Sequence, residues 1–170
     1  MLLQFAGFAS IFSFTLVYAA RIGAGPSDLG LLTGSYLGAA TVATLVTVYL
    51  VERSGFLFTI TLGVAIMGGT LLVTPLVTTL GVLVALQLAT GIGRGLSNTA
   101  LMALSIRTVA PENRATAMGV YQAVYAIGMF AGPVVGGIVA GAAGIDSVFY
   151  LLGLLALVGG TLLYFKRDTQ

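Results

Sequence analysis

Apolar residues in this chain fall in long runs, not in the short alternation of a half-buried strand or the narrow stripe of a surface helix. Gly, Pro and charged residues punctuate the runs. This pattern predicts six helices, at about 2–20, 28–51, 56–74, 80–106, 112–140 and 148–165. Each is close to or above the ~20 apolar residues that a membrane crossing requires. The intervening segments carry turn chemistry: Arg21 to Ser27 contains Gly23, Gly25 and Pro26, Pro75 follows the third run, and Gly141 to Asp146 precedes the sixth. Pro111 suits a helix's first turn, where its missing N–H is not needed. At about 1.5 Å per residue the fourth helix is roughly 40 Å long and projects beyond a ~30 Å hydrocarbon core.

The opening run has no basic leader and exceeds the usual ~7–15-residue core of a signal peptide, so it reads as the first span. Composition agrees: 58% of the residues are hydrophobic, seven are Lys or Arg, and five are Asp or Glu. The mean hydropathy is +1.09. The fold class is therefore an all-α membrane protein, one six-helix transmembrane domain over residues 1–170.

Six crossings put Arg53, Arg107, Arg114, Lys166 and Arg167 on one side, with Arg21 alone on the other. Basic residues favour the cytoplasmic side, which places both termini there in a multi-pass protein of the plasma (cell) membrane. These basic residues mark span boundaries and form no tract able to neutralise phosphates, so nucleic acid is not expected as a partner. The chain has no His and no Cys, which removes imidazole bases, thiol nucleophiles and the usual zinc, haem and iron–sulfur ligands. No metal, cofactor or catalytic residue is expected. An intramembrane enzyme built on Gly95-Leu96-Ser97-Asn98 would lack a base for the serine.

The two halves echo one another. Gly34-Ser35-Tyr36 and Gly119-Val120-Tyr121 sit in the second and fifth predicted helices, half the chain length apart. An offset of three helices inverts topology, giving a 3+3 inverted repeat of the kind found in many secondary transporters.

The stretch Arg114-Ala115-Thr116-Ala117-Met118-Gly119-Val120-Tyr121 continues through Gly128, Gly132-Pro133 and Gly136-Gly137. It resembles the fifth helix of a major facilitator superfamily (MFS) half, and its glycine spacing is that of the antiporter motif. Gly128, Gly132 and Gly136 recur every fourth residue, a smooth strip on which another helix can pack closely, and Pro133 removes a backbone donor and kinks it. A packing seam with a bend and a direct gating role both fit this strip. At the turn between the second and third spans, Leu50, Glu52, Arg53 and Gly55 match part of the family's G-x-L-x-D-R-x-G-R-R loop. Val48 replaces its first glycine, and Phe56 and Leu57 replace its closing basic pair. Gln87 to Gly95 is similar to a fourth family helix, with Gln87 where amino-terminal halves usually carry arginine. These degenerate motifs and the ending at Lys166-Arg167-Asp168-Thr169-Gln170 look like a carboxy-terminal half.

The resemblance implies that the first, second, fourth and fifth helices line a central cavity. Arg94 is the one charge well inside a predicted span, where a charge costs about 2.5–3.5 kcal/mol at the helix centre. Two roles fit it: a structural one, snorkelling or bonded to carbonyls, and a cavity or gating one. Gln87, Gly91, Arg94 and Asn98 share one face of the fourth helix. Tyr121, Gln122 and Tyr125 form a patch on the fifth, Tyr36 is the repeat counterpart in the second, and Gln4, Thr15 and Tyr18 share a stripe on the first. Interfacial or core packing accounts for Tyr18, Tyr49, Tyr150 and Tyr164 near span ends. The third helix, with nothing more polar than Thr, fits a lipid-facing position.

These residues point to transport of a small-molecule substrate through a lipid bilayer, with this chain as one half of a carrier. Its partner is then a second six-helix half, on a separate chain or a second copy. The alternative is a non-transporting scaffold or a transporter remnant, which keeps packing glycines but needs no polar stripes.

Overall fold

The computed structural model describes residues 14–165. Five α-helices are present among them: α1 Thr15–Arg21, α2 Pro26–Val73, α3 Leu80–Ile106, α4 Arg114–Ala143 and α5 Ile145–Phe165. Single 3-10 turns at Thr74–Leu76 and Pro111–Asn113 lead out of α2 and into α4, and no strand occurs among the described residues. Four stretches are long and apolar enough to cross a membrane: Pro26–Leu76, Leu80–Ile106, Pro111–Ala143 and Ile145–Leu163. The first predicted span lies mostly outside the described residues, Gln4 included, and only its end is seen, as α1.

Five helices are described, so the predicted count of six is not reached among the described residues. The second and third predicted spans are the two limbs of the 48-residue element α2, which join across a break. Within α2 only Gly55 leaves helical geometry, at φ 82 and ψ 165. A positive φ of that size is disfavoured for residues with a Cβ, so the break falls on the glycine of the loop motif.

The partners of α3 show which way the two limbs of α2 run. Before Gly55, Tyr36 meets Gly91, Ala40 meets Gly95, and Thr44 bonds Thr99, so partner numbers rise together. After Gly55, Gly63 meets Ser97, Met67 meets Gly93, and Thr70 bonds Thr90, so they move in opposite senses. The first limb is thus parallel to α3 and the second antiparallel, and the chain reverses direction at Gly55.

Close approach of backbones explains why glycine occupies the contact points. A Cβ on Gly93 would lie 2.5 Å from the Gly63 carbonyl oxygen, and one on Gly63 would lie 2.6 Å from that of Gly93. A Cβ on Gly91 would run into the Tyr36 carbonyl, and one on Gly95 would lie 2.5 Å from that of Ala40. Alternate glycines of α3 therefore serve the two limbs in turn. Small residues are the means of close packing where lipid offers no hydrophobic contrast.

The second limb is buried on its far side as well, where Gly68 meets Leu157 and Gly153 of α5 meets Leu72. Thr59, Ile60, Val64, Met67 and Leu71 are buried in this layer. The expectation of a lipid-facing third span is corrected accordingly: only the strip of Phe58, Ala65 and Val73 is exposed. Its lack of polar residues reflects a helix packed between two others.

Helix α1 is fastened across one end of the bundle. The Tyr18 hydroxyl lies 3.0 Å from the Pro75 carbonyl oxygen and 2.9 Å from that of Val77, sharing its one proton between them. Its ring meets Phe149 edge-on at 5.5 Å. Arg21 pairs with Asp146 at 3.4 Å, both exposed. At the opposite end, beside the reversal at Gly55, the Arg107 guanidinium lies 5.3 Å from the centre of the Phe56 ring.

Outward surfaces are apolar. Leu45 is 72% and Phe130 77% exposed, and along α4 only Gly128, Gly132 and Gly136 are buried. Such a surface suits hydrocarbon and not water.

Candidate functional site

The polar residues singled out from sequence gather at the seam between α3 and α4. These helices run antiparallel, and one turn of each carries a matched pair. Arg94 and Asn98 stand one turn apart on α3, and Tyr125 and Tyr121 stand one turn apart on α4, so two rungs form.

In the first rung, Arg94 Nη2 donates to the Tyr125 hydroxyl at 2.8 Å. The guanidinium carbon also lies 5.9 Å from that ring's centre, near the outer limit for a cation–π contact. In the second, the Tyr121 hydroxyl donates to Asn98 Oδ1 at 3.5 Å, while Asn98 Nδ2 lies 3.9 Å from the sulfur of Met102. All four side chains are half-buried.

Tyr36 closes the site from the first limb of α2. It is 3% exposed, and its backbone oxygen packs on Gly91, one turn from Arg94.

The rest of the predicted stripes separate from this seam. Gln87 is 6% exposed, buried one turn before the point where α3 meets the first limb of α2. Gln122 is exposed and points away from the seam. Of the α4 glycines, Gly128, Gly132 and Gly136 are buried, and Gly136 receives the ring of Phe14, which a Cβ would meet directly. Gly119 and Gly137 are exposed, with open space where a Cβ would stand, and the helix continues through Pro133. In the loop motif Glu52, Arg53 and Gly55 are exposed, and Arg53 Nη1 donates to the Tyr49 hydroxyl at 2.9 Å.

The electrostatics of the seam follow from where the acids are. Asp28 accepts the Gly25 N–H at 2.9 Å and caps α2. Asp146 pairs with Arg21 in what is the one ion pair among the described residues. Glu52 and Glu112 are exposed near helix ends. Arg94 therefore has a neutral phenol hydroxyl, and no carboxylate, as its hydrogen-bond partner among the described residues.

Sequence reading did not identify the Gly63–Gly93 contact, which holds the α2 reversal against α3. The signal was present: Gly91, Gly93 and Gly95 alternate within five residues, too many small side chains for one face.

A sequence profile of the Major Facilitator Superfamily matches residues 1–170. An uncharacterized MFS-type transporter of Methanocaldococcus jannaschii is 32% identical over 154 residues, covering 89% of this chain and 39% of that protein. The chain thus spans well under half the length of this relative.

Proposed function

The chain belongs to the major facilitator superfamily, and from that premise we propose that it forms one six-helix half of a secondary carrier moving a small solute by alternating access. Membership makes it an integral membrane protein of a transporter family, in keeping with its four long apolar helical stretches. The observation that carries the proposal is the α3–α4 seam, where Arg94, Asn98, Tyr121 and Tyr125 hold polar chemistry inside an apolar bundle. Polar and charged groups at membrane depth are expensive and mark solute pathways.

Six crossings follow if the two antiparallel limbs of α2 each span, with α1 ending the first crossing. The 48 residues of α2 would extend to roughly 70 Å in a straight line, more than twice the ~30 Å core. A 3+3 inverted repeat then relates Tyr36 to Tyr121. The excess of Arg53, Arg107 and Arg114 at the reversal end supports placing that end, and both termini, in the cytoplasm of a cell-membrane protein. The exposed apolar face of α4, with Val120, Val124, Ile127 and Phe130, is where a second six-helix half would pack or lipid would lie.

Catalysis has no part in this reading. A scaffold or remnant would keep the glycine contacts yet has no use for an intramembrane cation, so Arg94 favours the carrier. The test is solute uptake into proteoliposomes holding the full polypeptide or complex that contains this chain. A panel of neutral, cationic and anionic radiolabelled solutes should yield at least one with saturable uptake above protein-free liposomes. No such solute, with the protein shown to be folded and inserted, would favour the scaffold.

A further inference from the structure

Resting on the carrier reading, we infer that the α3–α4 seam recognises an organic anion, taking a carboxylate on Arg94 and an apolar or aromatic body against Tyr121 and Tyr125. Three observations lead there. The first is charge. Arg94 is half-buried in an apolar bundle, and among the described residues no carboxylate lies within ion-pair distance of it. A guanidinium in such surroundings gains more from an anion than from a neutral solute, since the low local dielectric strengthens the pairing.

The second is donor supply. A guanidinium has about five N–H donors in a planar fork suited to a carboxylate. Arg94 directs one of them, from Nη2, at Tyr125. The Tyr125 hydroxyl accepts that bond, so its own proton remains to be given. An incoming carboxylate can therefore take the free edge of the fork and receive the Tyr125 proton in a second hydrogen bond. Acid side chains, which a cationic solute would need, are confined among the described residues to Asp28, Glu52, Glu112 and Asp146 outside the seam.

The third is shape. The Tyr125 hydroxyl lies 2.8 Å from the guanidinium and its ring centre 5.9 Å away, and Tyr121 stands one turn along α4 beside Asn98. Two aromatic rings on one helix beside a single cation suit a ligand with one charged end and an apolar remainder.

Equilibrium dialysis tests this with labelled benzoate and octanoate, their neutral counterparts benzamide and octanamide, and the full transporter in nanodiscs. At least one carboxylate should bind saturably, and neither amide should compete at the same concentration. Arg94→Lys keeps the charge but loses the fork, and should weaken carboxylate binding about 10- to 100-fold. Arg94→Gln should abolish it.

Three results would overturn the inference: amides competing as well as carboxylates, Arg94→Gln binding like the parent, or neither carboxylate binding. The third is what an acid from the remainder of the protein, already paired with Arg94, would give. Saturable uptake of a neutral solute alongside any of these would leave the carrier standing and remove only the anion. If Arg94→Gln does not fold, Arg94→Lys carries the comparison alone.

Discussion

Arg94 of α3 and Tyr125 of α4 meet at 2.8 Å, and their bond links a charge inside the bundle to its least buried long helix. The second rung, from Tyr121 to Asn98, is longer at 3.5 Å and joins two neutral groups. Charge-assisted bonds are roughly twice as strong as neutral ones, so the rungs are unequal. A double-mutant cycle on Arg94→Gln with Tyr125→Phe should give a coupling of about 1 kcal/mol, at the low end for a bond to a charge because the pair is half-buried. The Asn98→Ala and Tyr121→Phe cycle should give less than half of that. Equal couplings, read from unfolding in detergent, would contradict the geometry.

Glycine contacts within the bundle make a sharper forecast. Gly63→Ala and Gly93→Ala each put a methyl group 2.5–2.6 Å from the facing carbonyl oxygen, which neither backbone can relieve without moving. Overpacking of this kind costs about 1–3 kcal/mol. Gly137→Ala meets open space and should be neutral or stabilising by up to ~1 kcal/mol through helix propensity. Thermal unfolding of the three variants side by side checks the order.

At the reversal of α2 the issue is backbone conformation, not space. A Cβ on Gly55 meets nothing within 4 Å, but its φ of +82 is unfavourable for alanine. Gly55→Ala should therefore lose about 1–2 kcal/mol. Gly30→Ala, in a helical stretch with equal space and no positive φ, should lose nothing. Similar stabilities for the two variants would mean that the reversal does not depend on Gly55.

Two contacts fasten the opposite end, and they should differ in weight. Tyr18→Phe removes the hydroxyl shared by the Pro75 and Val77 carbonyls in a buried setting, and should cost about 1–2 kcal/mol. Arg21→Gln removes an exposed pair with side chains 62% and 44% accessible, and should change stability by well under ~1 kcal/mol. Chemical denaturation of both variants decides the matter.

Much of this organisation could be read from the residues. Long apolar runs fixed the helical class, while the Gly141–Asp146 turn read from sequence narrows in the structure to Gly144, between helices ending at Ala143 and starting at Ile145. The arginine and tyrosine stripes were legible because polar side chains stand out in apolar helices. Their pairing was not, since helical spacing gives the face of each helix but not which faces meet. Gly55 was read at the turn between the second and third spans, where the two limbs of α2 part; the positive φ that makes the break is not carried by composition. The third span was misjudged for a related reason. Without polar residues, its buried and lipid-facing sides are written in the same alphabet, and only Gly63 and Gly68 distinguish them.

The central claim is that the α3–α4 seam lines a path open in turn to each side of the membrane. This chain contains no cysteine, so a single Asn98→Cys can report on it, with any cysteines elsewhere in the protein replaced. The measurement is reaction of that thiol with a membrane-impermeant maleimide, applied to sealed vesicles from one face and then from the other. Labelling from both faces is predicted, with Phe130→Cys on the exposed side of α4 unreactive from either. Labelling of Asn98→Cys from one face only, or from neither, would contradict the account.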